Sequence, residues 1–164
     1  MDSIRQKLEE ILRTQKTCVK AQLAVLIETQ DSVYIRGWNG SPTCVINGQC
    51  MKKEIPADPL AELCHPIHAE VRAICQAAKE GISVKGATIY MSQWFPCAAC
   101  AEAIIESGIT KLVTPDEIYS DAKNFVLAPK LIGNRLYFFE IAEKLLRESG
   151  IKIIIDPEIR PGGI

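Results

Sequence analysis

Apolar residues recur along the chain in two rhythms, one helical and one alternating or continuous. Ile4, Leu8, Ile11 and Leu12 fall three and four residues apart, which predicts a first helix with one apolar face. "AQLAVLIET" and "SVYIRGW" are strand-like runs joined by "QD", the pattern of a hairpin. "NGSPTCVINGQCMKKEIPADP" then has the turn chemistry of a long loop. Val71, Ile74, Cys75 and Ala78 mark a second helix, which Gly81 is suited to end. "ATIYMS" reads as a third strand. A helix from Cys97, marked by Ala101, Ile104 and Ile105, stops at Gly108. "TKLVT" is a fourth strand. Phe138, Ile141, Ala142, Leu145 and Leu146 outline a last helix, and "IKIIID" is a fifth strand. A helix between the fourth and fifth strands implies a crossover, so those two strands should run parallel. The pattern as a whole predicts an α/β protein, a mixed sheet with helices on both faces.

Composition narrows this picture only a little. With 164 residues, one domain over 1–164 is expected, large enough for a core without disulfides. No apolar run approaches a membrane span, and "MDSIRQKLEEILRTQK" is too charged for a signal peptide. A cytoplasmic protein with no membrane partner is therefore expected. The net charge of −1 disfavours nucleic acid held on a broad basic face, but leaves room for one local anion pocket. Seven cysteines, an odd number without an export signal, argue for reduced thiols rather than a disulfide framework.

The chemistry concentrates in two short stretches. "HPIHAEVRAI" holds both histidines and runs into the second helix, with Glu70 two residues after His68. "PCAAC" places Cys97 and Cys100 at the start of the next helix, a spacing that lets two sulfurs take adjacent corners of a zinc tetrahedron. A helix N-terminus also favours thiolates, because its unpaired N–H groups stabilise negative charge. Taken singly, each signal has a plain reading: a surface or capping histidine, and a thioredoxin-like redox pair. The redox pair would follow the first strand of its fold, whereas this one follows a third. His-Ala-Glu, 25 intervening residues and then Pro-Cys-x-x-Cys is much more specific. Three protein ligands leave one corner for water, the arrangement of a catalytic zinc rather than a closed structural one.

At these residues the chain resembles the cytidine deaminase superfamily, and within it the deoxycytidylate (dCMP) deaminases. "HAEVRAI" and "WFPCAACAEAIIESGI" are similar to the two zinc-binding helices of that family. "KTCVKAQLAVLIET" with "IRGWNGSP" is similar to its opening hairpin and substrate loop, and "EIAEKLLRESGIKI" to its closing helix and strand. The resemblance implies a three-layer α/β/α fold, with a five-stranded mixed sheet whose last two strands are parallel. It implies Zn2+ on His68, Cys97 and Cys100, with Glu70 as the proton shuttle for hydrolysis of dCMP to dUMP and ammonia. By the same resemblance the N–H of Ala69 would bind the pyrimidine carbonyl, and Asn39 the sugar. A plain Asn-Gly turn is the other reading of Asn39. Trp94 and Phe95 would wall the base, unless they belong to the core.

Where the family often has His-Ala-Glu-x-Asn, this chain has Arg72, a cation that would serve a phosphate or point to solvent. The segment from 117 to 139 is longer than the family pattern, and its Lys123, Lys130 and Arg135 are further phosphate candidates. Cys44, Cys50, Cys64 and His65 would form a second, structural zinc site or stay as reduced thiols. A homo-oligomer, dimer or hexamer, is expected, with a small-molecule nucleotide as substrate and no nucleic-acid partner. Two other functions fit the same motifs: an adenosine, guanine or tRNA-editing deaminase of the superfamily, or a zinc-stabilised binding protein without catalysis. The substrate loop favours the nucleotide branch. A retained Glu70 beside an open corner disfavours the scaffold.

Overall fold

The computed structural model describes residues 3–15, 17–18, 22–40, 45–46, 49–50, 67–115, 130–132, 135–137 and 139–162; at 45–46, 49–50, 130–132 and 135–137 only the backbone is described. Helix α1 spans Ile4–Thr14, followed by strands β1 (Ala24–Glu28) and β2 (Tyr34–Trp38). Two short strands follow, β3 (Val45–Ile46) and β4 (Gln49–Cys50), and then helix α2 (Ala69–Glu80). Strand β5 (Thr88–Met91), helix α3 (Ala98–Glu106) and strand β6 (Lys111–Thr114) come next. The chain closes with β7 (Lys130–Ile132), β8 (Arg135–Tyr137), helix α4 (Phe139–Glu148), β9 (Lys152–Ile155) and a 3-10 turn at Pro157–Ile159.

The main sheet has the order β2–β1–β5–β6–β9. β1 pairs antiparallel with both β2 and β5, while β5, β6 and β9 run parallel. The expected parallel pair is therefore present, and a second one, β5 with β6, has the same cause: α3 is its crossover. Strand alternation sorts the core into two layers. Val25, Ile27, Ile35, Ile89, Met91 and Leu112 face α2, α3 and α4. Ala24, Leu26 and Val113 face Leu8, Ile11 and Leu12 of α1 on the opposite side. Each fully buried Leu or Ile contributes about 1.5–3 kcal/mol relative to an exposed one, so both faces are substantial. A capping box opens α1: Ser3 Oγ accepts from Gln6 N–H, and Gln6 Oε1 accepts from Ser3 N–H.

The helices α2 and α4 marked by apolar periodicity are both present, and the structure adds which of their residues are buried. The buried face of α2 is Ala69, Glu70, Ala73 and Ala77, while Cys75 and Ala78 are exposed and Val71 and Ile74 only half-buried. Small residues face inward because α2 lies almost against β2. A Cβ on Gly37 would come within 2.2 Å of the Ala69 carbonyl oxygen and 2.8 Å of Ala73 Cβ. In α4 the buried residues are Phe139, Ala142 and Leu146, and Ile141 is 50 % exposed. Phe138 lies outside the described residues. The stretch expected as a long loop contains one short hairpin, and the segment from 117 to 139 contains another. Val45↔Cys50 and Ile46↔Gln49 pair across Asn-Gly, and Lys130↔Tyr137 to Ile132↔Arg135 pair across Gly-Asn. Two-residue connections of that composition favour hairpins on their own.

Candidate active site

Two helix N-termini meet at the carboxyl ends of the parallel strands. His68 is the N-cap of α2 and Cys97 the N-cap of α3, both with extended backbone and neither capping its helix through its side chain. Cys100 lies one turn into α3, on the same face as Cys97. His68 Nδ1 is 3.2 Å from Cys100 Sγ and 3.6 Å from Cys97 Sγ. All three donor atoms lie within 4.8 Å of one another. A tetrahedral zinc with ordinary bond lengths separates its nitrogen and sulfur ligands by about 3.6 Å, so the trio is sized for that ion.

The electrostatics of the trio point the same way. Cys97 is held well below the usual thiol range, first by a hydrogen bond from the Cys100 thiol and then by His68, against the effect of burial. Cys100, the donor of that bond, is pushed up by it and by burial. Two adjacent thiols beside an imidazole resist ionising together unless a cation compensates them.

Glu70 occupies the second position of α2 and is 2 % exposed. Burial is the main cause of its raised pKa, opposed by a hydrogen bond to its own backbone N–H, by His68 and by a hydrogen bond with Cys100. Its Oε2 is buried with no hydrogen-bond partner among the described residues. A buried carboxylate oxygen usually finds a protein partner, so an orphan beside three metal-type donors fits a carboxylate whose partner is not part of the chain. Ala69, the first residue of α2, is fully buried, and its N–H is one that the helix leaves without an intrahelical acceptor.

The other expected residues are placed as follows. Asn39 is buried, its Oδ1 accepting from Leu23 N–H at 2.8 Å and its carbonyl from Cys18 N–H at 3.0 Å. Arg72 is half-buried, and among the described residues its partners are carbonyls and a ring rather than a charge. Its Nε donates to the Trp38 carbonyl at 2.7 Å and its Nη2 to the Gly40 carbonyl at 2.5 Å. Phe95 is buried in the core facing the helices. Trp94 is half-buried and has a left-handed backbone, φ 62°. Its carbonyl accepts from Thr114 Oγ1 at 2.9 Å, and Thr114 is fully buried at the end of β6. Nothing in the spacing of the sequence marks Thr114 as the residue bracing the loop that leads into Cys97. Cys44, Cys64, His65 and Lys123 lie outside the described residues, and Cys50, Lys130 and Arg135 are described by backbone alone. Among the described residues, no helix is long and apolar enough to cross a membrane.

Known proteins resemble this chain in sequence and in fold. A deoxycytidylate deaminase of Saccharomyces cerevisiae is 27 % identical over 127 residues, covering 76 % of this chain and 40 % of that protein. The chain thus spans well under two thirds of that relative's length. The structure of the dCMP deaminase from cyanophage S-TIM5 in apo form matches with a TM-score of 0.60 at 18 % identity, over 95 % of this chain and 100 % of that one. The same enzyme in complex with dCMP and dUMP gives 0.59 at 17 %, over 93 % of each chain. At such identities the structural likeness establishes the shared fold alone. The model of the cytidine and deoxycytidylate deaminase zinc-binding region matches residues 2–115, a stretch that includes all three metal-type donors and Glu70. With that match, and with the site it covers assembled at two helix ends, this chain belongs to the cytidine and deoxycytidylate deaminase zinc-binding family.

Proposed function

We propose that the protein is a zinc-dependent hydrolytic deaminase of a free pyrimidine nucleotide, with dCMP as the substrate. One observation carries the reading: His68, Cys97 and Cys100 converge beside a buried Glu70 whose Oε2 has no partner among the described residues. His68, Cys97 and Cys100 would hold the ion, which when bound lowers the pKa of a coordinated water to about 7. The chain supplies the rest. Burial raises the proton affinity of Glu70, which suits a carboxyl that takes a proton, carries it to the ring nitrogen and later assists ammonia. The Ala69 N–H, free of the helix ladder, is a donor for the pyrimidine carbonyl. The bonds around Asn39 hold its turn in one conformation, which suits a residue presented to the sugar. The names of the yeast and cyanophage relatives support a nucleotide over a nucleoside.

Ammonia release from dCMP, deoxycytidine, cytidine, adenosine and guanine tests the reading. We expect dCMP to exceed deoxycytidine in kcat/KM by at least about 10²-fold, since a site that pairs a phosphate is left with unpaired charge by the nucleoside. Glu70→Gln should keep one zinc per chain yet lose about 10²- to 10⁴-fold in rate. Equal turnover of nucleoside and nucleotide would move the protein to another branch of the superfamily. Undiminished turnover by Glu70→Gln would remove the glutamate from the mechanism.

A further inference from the structure

Trp38, Asn39 and Gly40 form the turn that leaves β2, the end strand of the five-stranded sheet among the described residues. The Trp38 and Gly40 carbonyls, flanking Asn39, both end on the guanidinium of Arg72, at 2.7 and 2.5 Å. The same group lies over the Trp38 ring, 4.8 Å from its centroid. The Gly40 N–H adds a bond to the Ile67 carbonyl at 3.1 Å, just before the helix begins. Gly40 has φ 132°, a conformation other residues rarely adopt. On its other side the turn is fastened by Asn39 itself, through Leu23 and Cys18.

We infer that Arg72 is a positioning residue, the clasp that fixes the Trp38–Gly40 turn to α2 and so sets Asn39 in register with His68 and Glu70. The inference rests on the functional reading above for what Asn39 touches, but the clasp stands on its own contacts. Arg72 lies on the same helix as Glu70 and four residues after His68, so a turn bonded to it keeps its distance from both. The chemistry asks for arginine. A planar fork can give two parallel N–H bonds while its face stacks on an indole, whereas lysine offers a compact ammonium with no such plane. Among the described residues no carboxylate pairs with Arg72; its partners are two carbonyls and a ring. Its charge serves local geometry.

The test uses Arg72→Met, Arg72→Lys, Asn39→Ala and the Arg72→Met/Asn39→Ala double variant, each assayed for zinc content, kinetics and amide hydrogen exchange. Arg72→Met should retain zinc, raise KM by roughly 10-fold or more and change kcat by less than about 3-fold. In the Asn39→Ala background the same change should cost less than about 2-fold, because its effect passes through Asn39. Exchange at Gly40 should quicken by about 10-fold or more while amides in α4 and β9 keep their protection. Arg72→Lys, which preserves charge and fold, should recover less than half of the KM effect. Additive kinetic losses, a loss confined to kcat, or unchanged Gly40 exchange would each overturn the proposal. If Arg72→Met unfolds, the lysine variant decides by the same exchange measurement. If the wild-type chain deaminates no nucleotide, the functional reading fails, and Gly40 exchange still decides whether the clasp exists.

Discussion

Glu70 combines two conditions that stability alone would not favour: a carboxyl 2 % exposed, and an oxygen with no partner among the described residues. Burying a polar group without a hydrogen bond costs about 1–3 kcal/mol in proteins. Glu70→Gln removes the charge while keeping the shape. In chelator-treated protein it should raise the thermal midpoint by about 2–4 °C, read by scanning calorimetry. A lower midpoint would mean the carboxylate anchors the fold. Residue types and spacing pointed to His68, Cys97 and Cys100, because metal binding demands particular atoms at particular separations, and the family resemblance added a role for this glutamate. Arg72 was not legible in that way. A guanidinium accepts any carbonyl, carboxylate or ring brought near it, and only the packed helix and strand determine which.

At the level of elements, the tight contact between α2 and β2 places the site. Gly37→Ala would put a methyl 2.2 Å from the Ala69 carbonyl oxygen, where backbone must move. Overpacking of this kind costs about 1–3 kcal/mol, so the midpoint should fall by about 2 °C or more and zinc affinity with it. An unaltered midpoint and zinc content would show that the helix stands further from the strand. The same contact explains why the buried face of α2 is not its most apolar one. Periodicity weighs Val71 and Ile74 above alanines, yet close approach to a glycine strand selects Ala69, Ala73 and Ala77 for the interior. The β3–β4 and β7–β8 hairpins were overlooked because paired runs of two or three residues are too short to show a strand rhythm.

In the whole molecule the sheet separates two packing layers, with the site assembled by the helices of one face. Leu8, fully buried on the other, belongs to the α1 layer. Leu8→Ala should cost about 2–5 kcal/mol of stability. Its zinc content and kcat/KM, corrected for folded fraction, should stay within about twofold of wild type. Loss of zinc from the folded variant would show that the layers are coupled. The order of helices and strands made the parallel pair of β6 and β9 legible from the sequence, since a crossover leaves few alternatives. The register of α2 on β2 was not, because it depends on side-chain volumes far apart in sequence.

This two-sidedness also bears on how the protein can change over time. The α1 layer answers mainly to volume and apolarity, so paired swaps among Leu8, Ile11, Leu12 and Leu26 can drift with little effect beyond stability. Position 37 has no such latitude, because an added Cβ meets the backbone of Ala69 and the methyl of Ala73. Divergent descendants of this chain would therefore differ most beneath α1 and least at Gly37. An engineer seeking a more robust variant has the same map: substitutions on the α1 side can raise stability while leaving the chemistry untouched.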